Sequence, residues 1–228
     1  MAKILCIESA TTNCSVCIAT DGKVISIKEE NTPNYSHSEQ LHVFIENVLK
    51  EADLAFSDMD AIAVSKGPGS YTGLRIGVSA AKGLCFALDV PLISIPTLES
   101  MAHQVVLEVS EVIIPVLDAR RMEVYSCVFD ENHQEIRETK AEIIDSGSFK
   151  EFSSYSKVFL AGNGAEKCQE VLPDDSNFVF DTSIYPSAKE MAPLAQKKFE
   201  AGQFENVAYF EPYYLKDFVL QKKKTNRS

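Results

Sequence analysis

The sequence predicts an α/β protein built as two related lobes, and three observations carry that expectation. Strand-like apolar runs alternate with amphipathic stretches of helical spacing along the whole chain. The order strand, strand, strand, helix, strand, glycine loop, helix occurs once before Val109, and something close to it occurs again afterwards. The composition, 45% apolar and 24% charged over 228 residues, is that of a chain able to bury a proper core. The expected division is residues 1–109 and residues 110–228.

The first lobe opens with a meander. Ile4 to Ile7 is apolar, Cys14 to Ala19 follows, and Asp21-Gly22 marks a turn before Lys23 to Lys28. Pro33 and Asn34 break the pattern. A helix is expected from Ser36, with Ser36 or Ser38 as cap and Glu39 completing a capping box. Its apolar stripe is Leu41, Phe44, Ile45, Val48 and Leu49. Ala61 to Val64 is the next strand, and it runs into a loop carrying Gly67, Pro68, Gly69 and Gly73. The helix after it places Leu74, Val78, Ala81, Cys85 and Leu88 at intervals of four and three, one face of a helix. Gly77, Ser79, Ala80, Ala81 and Gly83 make this helix thin. Val90 to Ile95 is a buried strand stopped by Pro96, and a helix from Thr97 is expected to run toward Val109.

In the second lobe Val112 to Leu117, Met122 to Phe129 and Glu135 to Ile144 are strand-like, with a turn at Asp130 to His133. Lys157 to Leu160 leads into Gly162-Asn163-Gly164 and a helix over Ala165 to Val171. A last amphipathic helix spans Ala188 to Glu200, closed by Gly202.

Charge and cysteine content exclude several classes. A net charge of −11 is poorly suited to gripping a phosphate backbone unaided; the basic cluster Lys222-Lys223-Lys224 with Arg227 reads as a solvated tail. No apolar run approaches the roughly 18 residues a membrane span needs, and the opening residues read as a strand, so the cytoplasm is the expected location. Cys14-x-x-Cys17 has redox spacing, but residues three apart on a strand face opposite ways, so buried thiols are expected.

The glycine loop lacks the lysine of a P-loop, and Gly73 comes one residue late for a dinucleotide fingerprint. Gly67, Gly69, Ser70, Thr72 and Gly73 could still hold an anion at a helix N-terminus, or simply make a tight turn; the thin helix offers a contact surface instead. Glu8, Ser9, Thr11 and Thr12 resemble the first phosphate loop of actin-like ATPases, with Glu in place of the usual Asp. His37 and His42 stand five apart, about 140° around a helix, and do not converge on one metal. His103 and His133 are single histidines on different elements. Ser70 in G-S-Y-T-G is not a nucleophile elbow. Asp118 and Glu123 flank Arg120 and Arg121, which reads as an ion-paired loop.

Taken in order, ILCIESATTNCSVCI, GPGSYTGLRIGVSAAKGL, DARRMEVY, AGNGAE and EPYYLKD resemble the TsaB (YeaZ) family over Ile4 to about Asp217. The resemblance implies a two-lobed actin-like (ASKHA) fold, each lobe a mixed sheet with flanking helices. It implies a non-catalytic subunit that binds and stabilises a TsaD-type transferase making threonylcarbamoyladenosine beside the tRNA anticodon, with a TsaE-type ATPase completing the assembly. TsaD carries a metal-binding His-x-x-x-His where this chain has Thr97 and Met101. No catalytic residue, metal or cofactor is then expected on this chain alone, ATP and a metal belonging to the partners, and tRNA is met indirectly. The family pairs through its first two helices, here Ser38 to Lys50 and Gly73 to Leu88. The partner-facing residues expected on the first are Leu41, Phe44, Ile45 and Val48; on the second, Leu74, Gly77, Val78, Ala81 and Cys85. A homodimer through the same face is the other use of it. The competing readings are an actin-like ATPase or small kinase using Glu8, Thr11, Thr12 and the Gly67–Gly73 loop, and a metallopeptidase.

Overall fold

A computed structural model describes residues 1–32, 37–173 and 177–215. The expected cap at Ser36, the break at Pro33 and Asn34 and the lysine-rich tail lie outside the described residues. The first sheet takes β1 (Lys3–Glu8), β2 (Asn13–Thr20), β3 (Lys23–Asn31), β4 (Ala61–Gly67) and β5 (Leu92–Pro96) in the order β3-β2-β1-β4-β5. The meander pairs antiparallel, while β1–β4 and β4–β5 pair parallel through helical crossovers α1 (His37–Glu51) and α2 (Tyr71–Leu88).

The second sheet takes β6 (Glu111–Asp118), β7 (Glu123–Phe129), β8 (Glu135–Ile143), β9 (Lys157–Ala161) and β10 (Phe178–Asp181) in the order β10-β9-β6-β7-β8. Its antiparallel and parallel pairs fall in the same places as in the first. One arrangement is thus used twice. The crossover that α1 makes in the first lobe shrinks here to a single 3-10 turn, Lys150–Phe152. Strand β10 is too short to show a period in the sequence.

The central strands are apolar on both sides because both faces of each sheet are covered. Leu5 and Ile7 face α1 and α2 together with Val16, Ile18, Ile62 and Val64. Ile4 and Cys6 on the same strand face the other way, against Met191, Ala192 and Ala195 of α5 (Ala188–Glu200). In the second sheet Val112, Ile114 and Val116 pack toward α4 (Ala165–Gln169). Ile113 and Leu117 pack toward Leu98, Met101 and Ala102 of α3 (Thr97–Ala102). Helix α3 is shorter than the sequence suggests. It stops at His103, and Val105 and Leu107 continue in irregular backbone against the second sheet.

The strands of the two sheets separate near residue 110, but the chain then crosses back. Ser187 caps α5 by accepting from Lys189 N–H, and Gly202 (φ +65) closes it, with Gln203 N–H reaching Lys198 O. Beyond it Glu205 pairs with Leu92, Lys82 Nζ donates to Ala208 O and Phe210 O, and Tyr213 N–H donates to Lys66 O at 2.7 Å. Residues 188–215 therefore belong to the first lobe. Among the described residues no helix is long and apolar enough to cross a membrane.

Met191 tests this assignment. Met191→Ala should cost about 2–5 kcal/mol in urea unfolding, and amide exchange should quicken first in β1 and β2. Loosening confined to the second sheet would contradict the crossover.

Candidate functional site

The glycine loop is where the sequence left a choice between anion cradle and contact surface. The structure fills it from within. A Cβ at Gly69 would lie 2.5 Å from Ala10 O, one at Gly73 2.1 Å from Ser9 O, and one at Gly77 2.2 Å from Ser9 Oγ. The three glycines, four apart, let the first two turns of α2 rest directly on the β1–β2 turn. Polar groups complete the contact: Ser70 N–H donates to Ala10 O at 2.6 Å and Ser9 Oγ donates to Gly73 O at 2.9 Å. Ser70 caps the helix, its Oγ accepting from Gly73 N–H and its carbonyl from Leu74 N–H. The thinness read at Gly77 serves this internal approach.

Gly67 has a separate role. At φ +104 it turns the chain out of β4, and Tyr213 O would lie 3.0 Å from a Cβ there. Thr72 is exposed on the first turn of α2.

Glu8, Thr11 and Thr12 do come together at the end of β1, in a different capacity from a phosphate loop. Glu8 is fully buried, and Oε1 accepts from Ala10 N–H at 2.6 Å. Oε2 has no partner in hydrogen-bonding geometry, although Ser65 lies close enough to favour the ionised form somewhat. Burial dominates and pushes the carboxyl up to about 7. Thr11 Oγ1 accepts from Asn13 N–H, Thr11 O accepts from His37 Nε2–H at 2.6 Å, and Thr12 Oγ1 donates to Asn31 Oδ1. These groups hold the turn on which the glycines sit.

The stripes assigned to a partner face inward. Leu41, Ile45 and Val48 of α1, and Leu74, Gly77, Val78, Ala81 and Cys85 of α2, are all buried in this chain, and Phe44 is half-buried. Apolar periodicity finds a helix's buried side, and here that side covers the chain's own sheet. The outward side differs. Phe86 is 87% exposed and Val43 51%, Ser79 and Arg75 are exposed, and Gly83 has open space where a side chain would stand. Ile76, Ala80 and Leu84 show part of their surface beside them.

Several other expectations resolve in the same way. Cys14 and Cys17 face opposite cores, and all six thiols are free and buried. Burial pushes Cys14, Cys85 and Cys168 up to about 12, which keeps them protonated and unreactive. Thr97 Oγ1 shares a hydrogen bond with Ser65 Oγ at 2.7 Å, and Met101 is wholly buried. Thr97 and Met101 are thus both taken up in internal packing. His103 and His133 are a stacked pair, centroids 4.3 Å apart, which their separation in sequence did not reveal. The Asp118 loop is also different. Its carboxylate forms an ion pair with Lys167 from α4 at 2.6 Å, not with the guanidinium of Arg120 or Arg121.

A family model described as TsaD, tRNA N6-adenosine threonylcarbamoyltransferase, matches residues 31–224. The Escherichia coli (strain K12) protein named tRNA threonylcarbamoyladenosine biosynthesis protein TsaB is 30% identical over 227 residues, 97% of each chain. The chain belongs to the TsaB (YeaZ) family. YeaZ from Pseudomonas aeruginosa superposes with a TM-score of 0.80 at 27% identity, over 94% of this chain and all of that one. The fold is accordingly the two-lobed actin-like one. A shorter stretch of 59 residues is 51% identical to the tRNA N6-adenosine threonylcarbamoyltransferase of Bacillus thuringiensis (strain Al Hakam), covering 26% of this chain and 17% of that one.

Two measurements follow from this geometry. Gly73→Ala should lose about 1–3 kcal/mol or more of stability, since backbone has to move to admit the methyl group; an unchanged denaturation midpoint would refute the close contact. Glu8 makes stability depend on pH. Its folded pKa of about 7 exceeds the ordinary 4.5, so the folded state binds the extra proton. The associated stability is complete below about pH 4.5 and lost as pH rises through about 7, a change of about 3 kcal/mol. Glu8→Gln should therefore gain on the parent chain between about pH 5 and pH 8 in paired urea titrations, and parallel curves would contradict it.

Proposed function

We propose that this chain is the non-catalytic docking subunit in the formation of threonylcarbamoyladenosine next to the tRNA anticodon. It binds and stabilises a TsaD-type threonylcarbamoyltransferase, and a TsaE-type ATPase joins through the complex. In this reading ATP and a metal are held by the partners and not by this chain alone. The observation that carries it is the outward side of α2, where Phe86 stands exposed and Gly83 leaves room for another helix to approach closely. On α1, Val43 is likewise an exposed apolar side chain. The docking helices are those the family resemblance names, but the residues that meet the partner lie on their other side.

The filled glycine loop supports the same reading. An ATPase or kinase using Gly67–Gly73 would need the N-terminal amides of α2, and the Ser70 and Gly73 amides are already bound to Ala10 O and Ser70 Oγ. Opening the loop would break the contact that seats α2 on the sheet. The acidity of the chain fits as well, because the partner supplies most of the RNA contact.

The test uses surface positions, so folding and docking separate. Phe86→Glu combined with Gly83→Arg should abolish co-elution with the TsaD-type subunit and the tRNA modification of the mixture. Stability should stay within about 0.5 kcal/mol for the exposed change at Phe86. Retained pairing and activity would refute this face. Substitutions at Val78 or Ala81 cannot serve, because both are core residues.

A further inference from the structure

We propose that the β6–β7 turn presents Arg120 and Arg121 as a backbone-phosphate contact for the tRNA held by the assembled complex. The proposal rests on the reading that this chain works in tRNA modification beside a catalytic partner. Both arginines stand in the left-handed region, at φ 69 and φ 52. Glycine or asparagine adopts that conformation with less cost, and two adjacent long side chains there are unfavourable for folding. The turn is nonetheless well held. Ala119 N–H donates to Glu123 O, Glu123 N–H to Arg120 O, and Arg120 N–H to Asp118 Oδ1 at 2.6 Å.

The pairing of the charges points outward. Lys167, whose side chain is largely buried, donates to Asp118 Oδ1 and Arg121 O, both at 2.6 Å, and to Glu123 O at 3.1 Å. One lysine thus clamps the turn from below and takes the carboxylate that the arginines would otherwise meet. Arg75 and Arg137, the other two described arginines, are spent on the chain's own structure: Arg75 on Tyr71 and Tyr214, Arg137 on Glu142 and Glu151. The guanidiniums of Arg120 and Arg121 make no ion pair or hydrogen bond among the described residues, and both residues are exposed.

Two neighbouring guanidiniums without partners suit phosphate oxygens, which they grip in bidentate fashion. An RNA backbone needs no apolar surround for such a contact, whereas a protein partner binds chiefly through a desolvated apolar centre. Met122, 37% exposed, is the only large apolar side chain within the turn. On a chain of net charge −11 an RNA is repelled by most surfaces, so unpaired cations define where it can come close.

The experiment measures tRNA binding by the complex reconstituted with its TsaD-type partner, as a function of salt. Arg120→Asn with Arg121→Gly suits the backbone, so the chain should unfold at an unchanged or higher temperature and pair normally. Its complex should bind tRNA roughly tenfold more weakly at moderate salt, with a log–log salt slope shallower by about 1 to 2. Arg120→Lys with Arg121→Lys should keep the parent slope. Parent-like affinity and slope in the Asn-Gly variant would overturn the proposal, and so would loss of partner pairing, which would place the turn at a protein interface. Failure of the unaltered chain to pair would instead defeat the docking reading on which the proposal rests.

Discussion

The contact of α2 with the β1–β2 turn is the constraint on which the first lobe depends. Helix and turn meet most closely at backbone carbonyls, Ala10 O at Gly69 and Ser9 O at Gly73, and at the Ser9 hydroxyl at Gly77. Such closeness lets Ser70 and Ser9 bond across the junction, and it sets how far α2 sinks onto β1 and β4. The depth in turn decides which residues of the helix remain outside. Had the helix stood a methyl group higher, Leu74 and Val78 would seat less deeply and the outward side would turn differently. The Ser9 and Ser70 hydrogen bonds across the junction are consequences of one close approach.

The duplicated sheet order shows what each lobe made of the same frame. In the first, a full helix bridges β3 and β4 and supplies outward surface. In the second, the equivalent crossover is a 3-10 turn, and the distinctive feature is the β6–β7 turn with its lysine clamp. Helix α3 lies between them, its Leu98, Met101 and Ala102 packed on the second sheet while Thr97 bonds Ser65 of the first. The lobes are joined through a segment whose side chains pack on one sheet and bond to the other.

Much of the fold was legible because both lobes announce themselves by period. Strand runs at Ile4, Cys14 and Val112, the stripe on α2 and the bounds of α5 all follow from apolar spacing and turn residues. Strand β10 escaped because four residues carry no period, and α3 was drawn too long because Val105 and Leu107 continue an apolar pattern after the helix has ended. The candidate site was less legible, for a physical reason. Apolar spacing identifies the side of a helix that leaves water, and it cannot say whether sheet or partner receives it. For α1 and α2 the receiver is the sheet. The small residues from Gly77 to Gly83 did signal close approach, while the groups that approach the start of α2, Ser9 and Ala10, are a tertiary fact. Lys167 beneath the Asp118 turn is another, some 49 residues away in sequence.

The return of residues 188–215 to the first sheet has a consequence for how the chain comes off the ribosome. The α5-facing side of that sheet, with Ile4, Cys6, Ala63 and Ile93, has no cover until Ala188–Glu200 has been made. The amino-terminal lobe therefore cannot finish first, as leading domains usually do. All strands of the second sheet are made before α5 can seal the first, and nascent chains pass through a stage in which a bare apolar sheet waits for its lid.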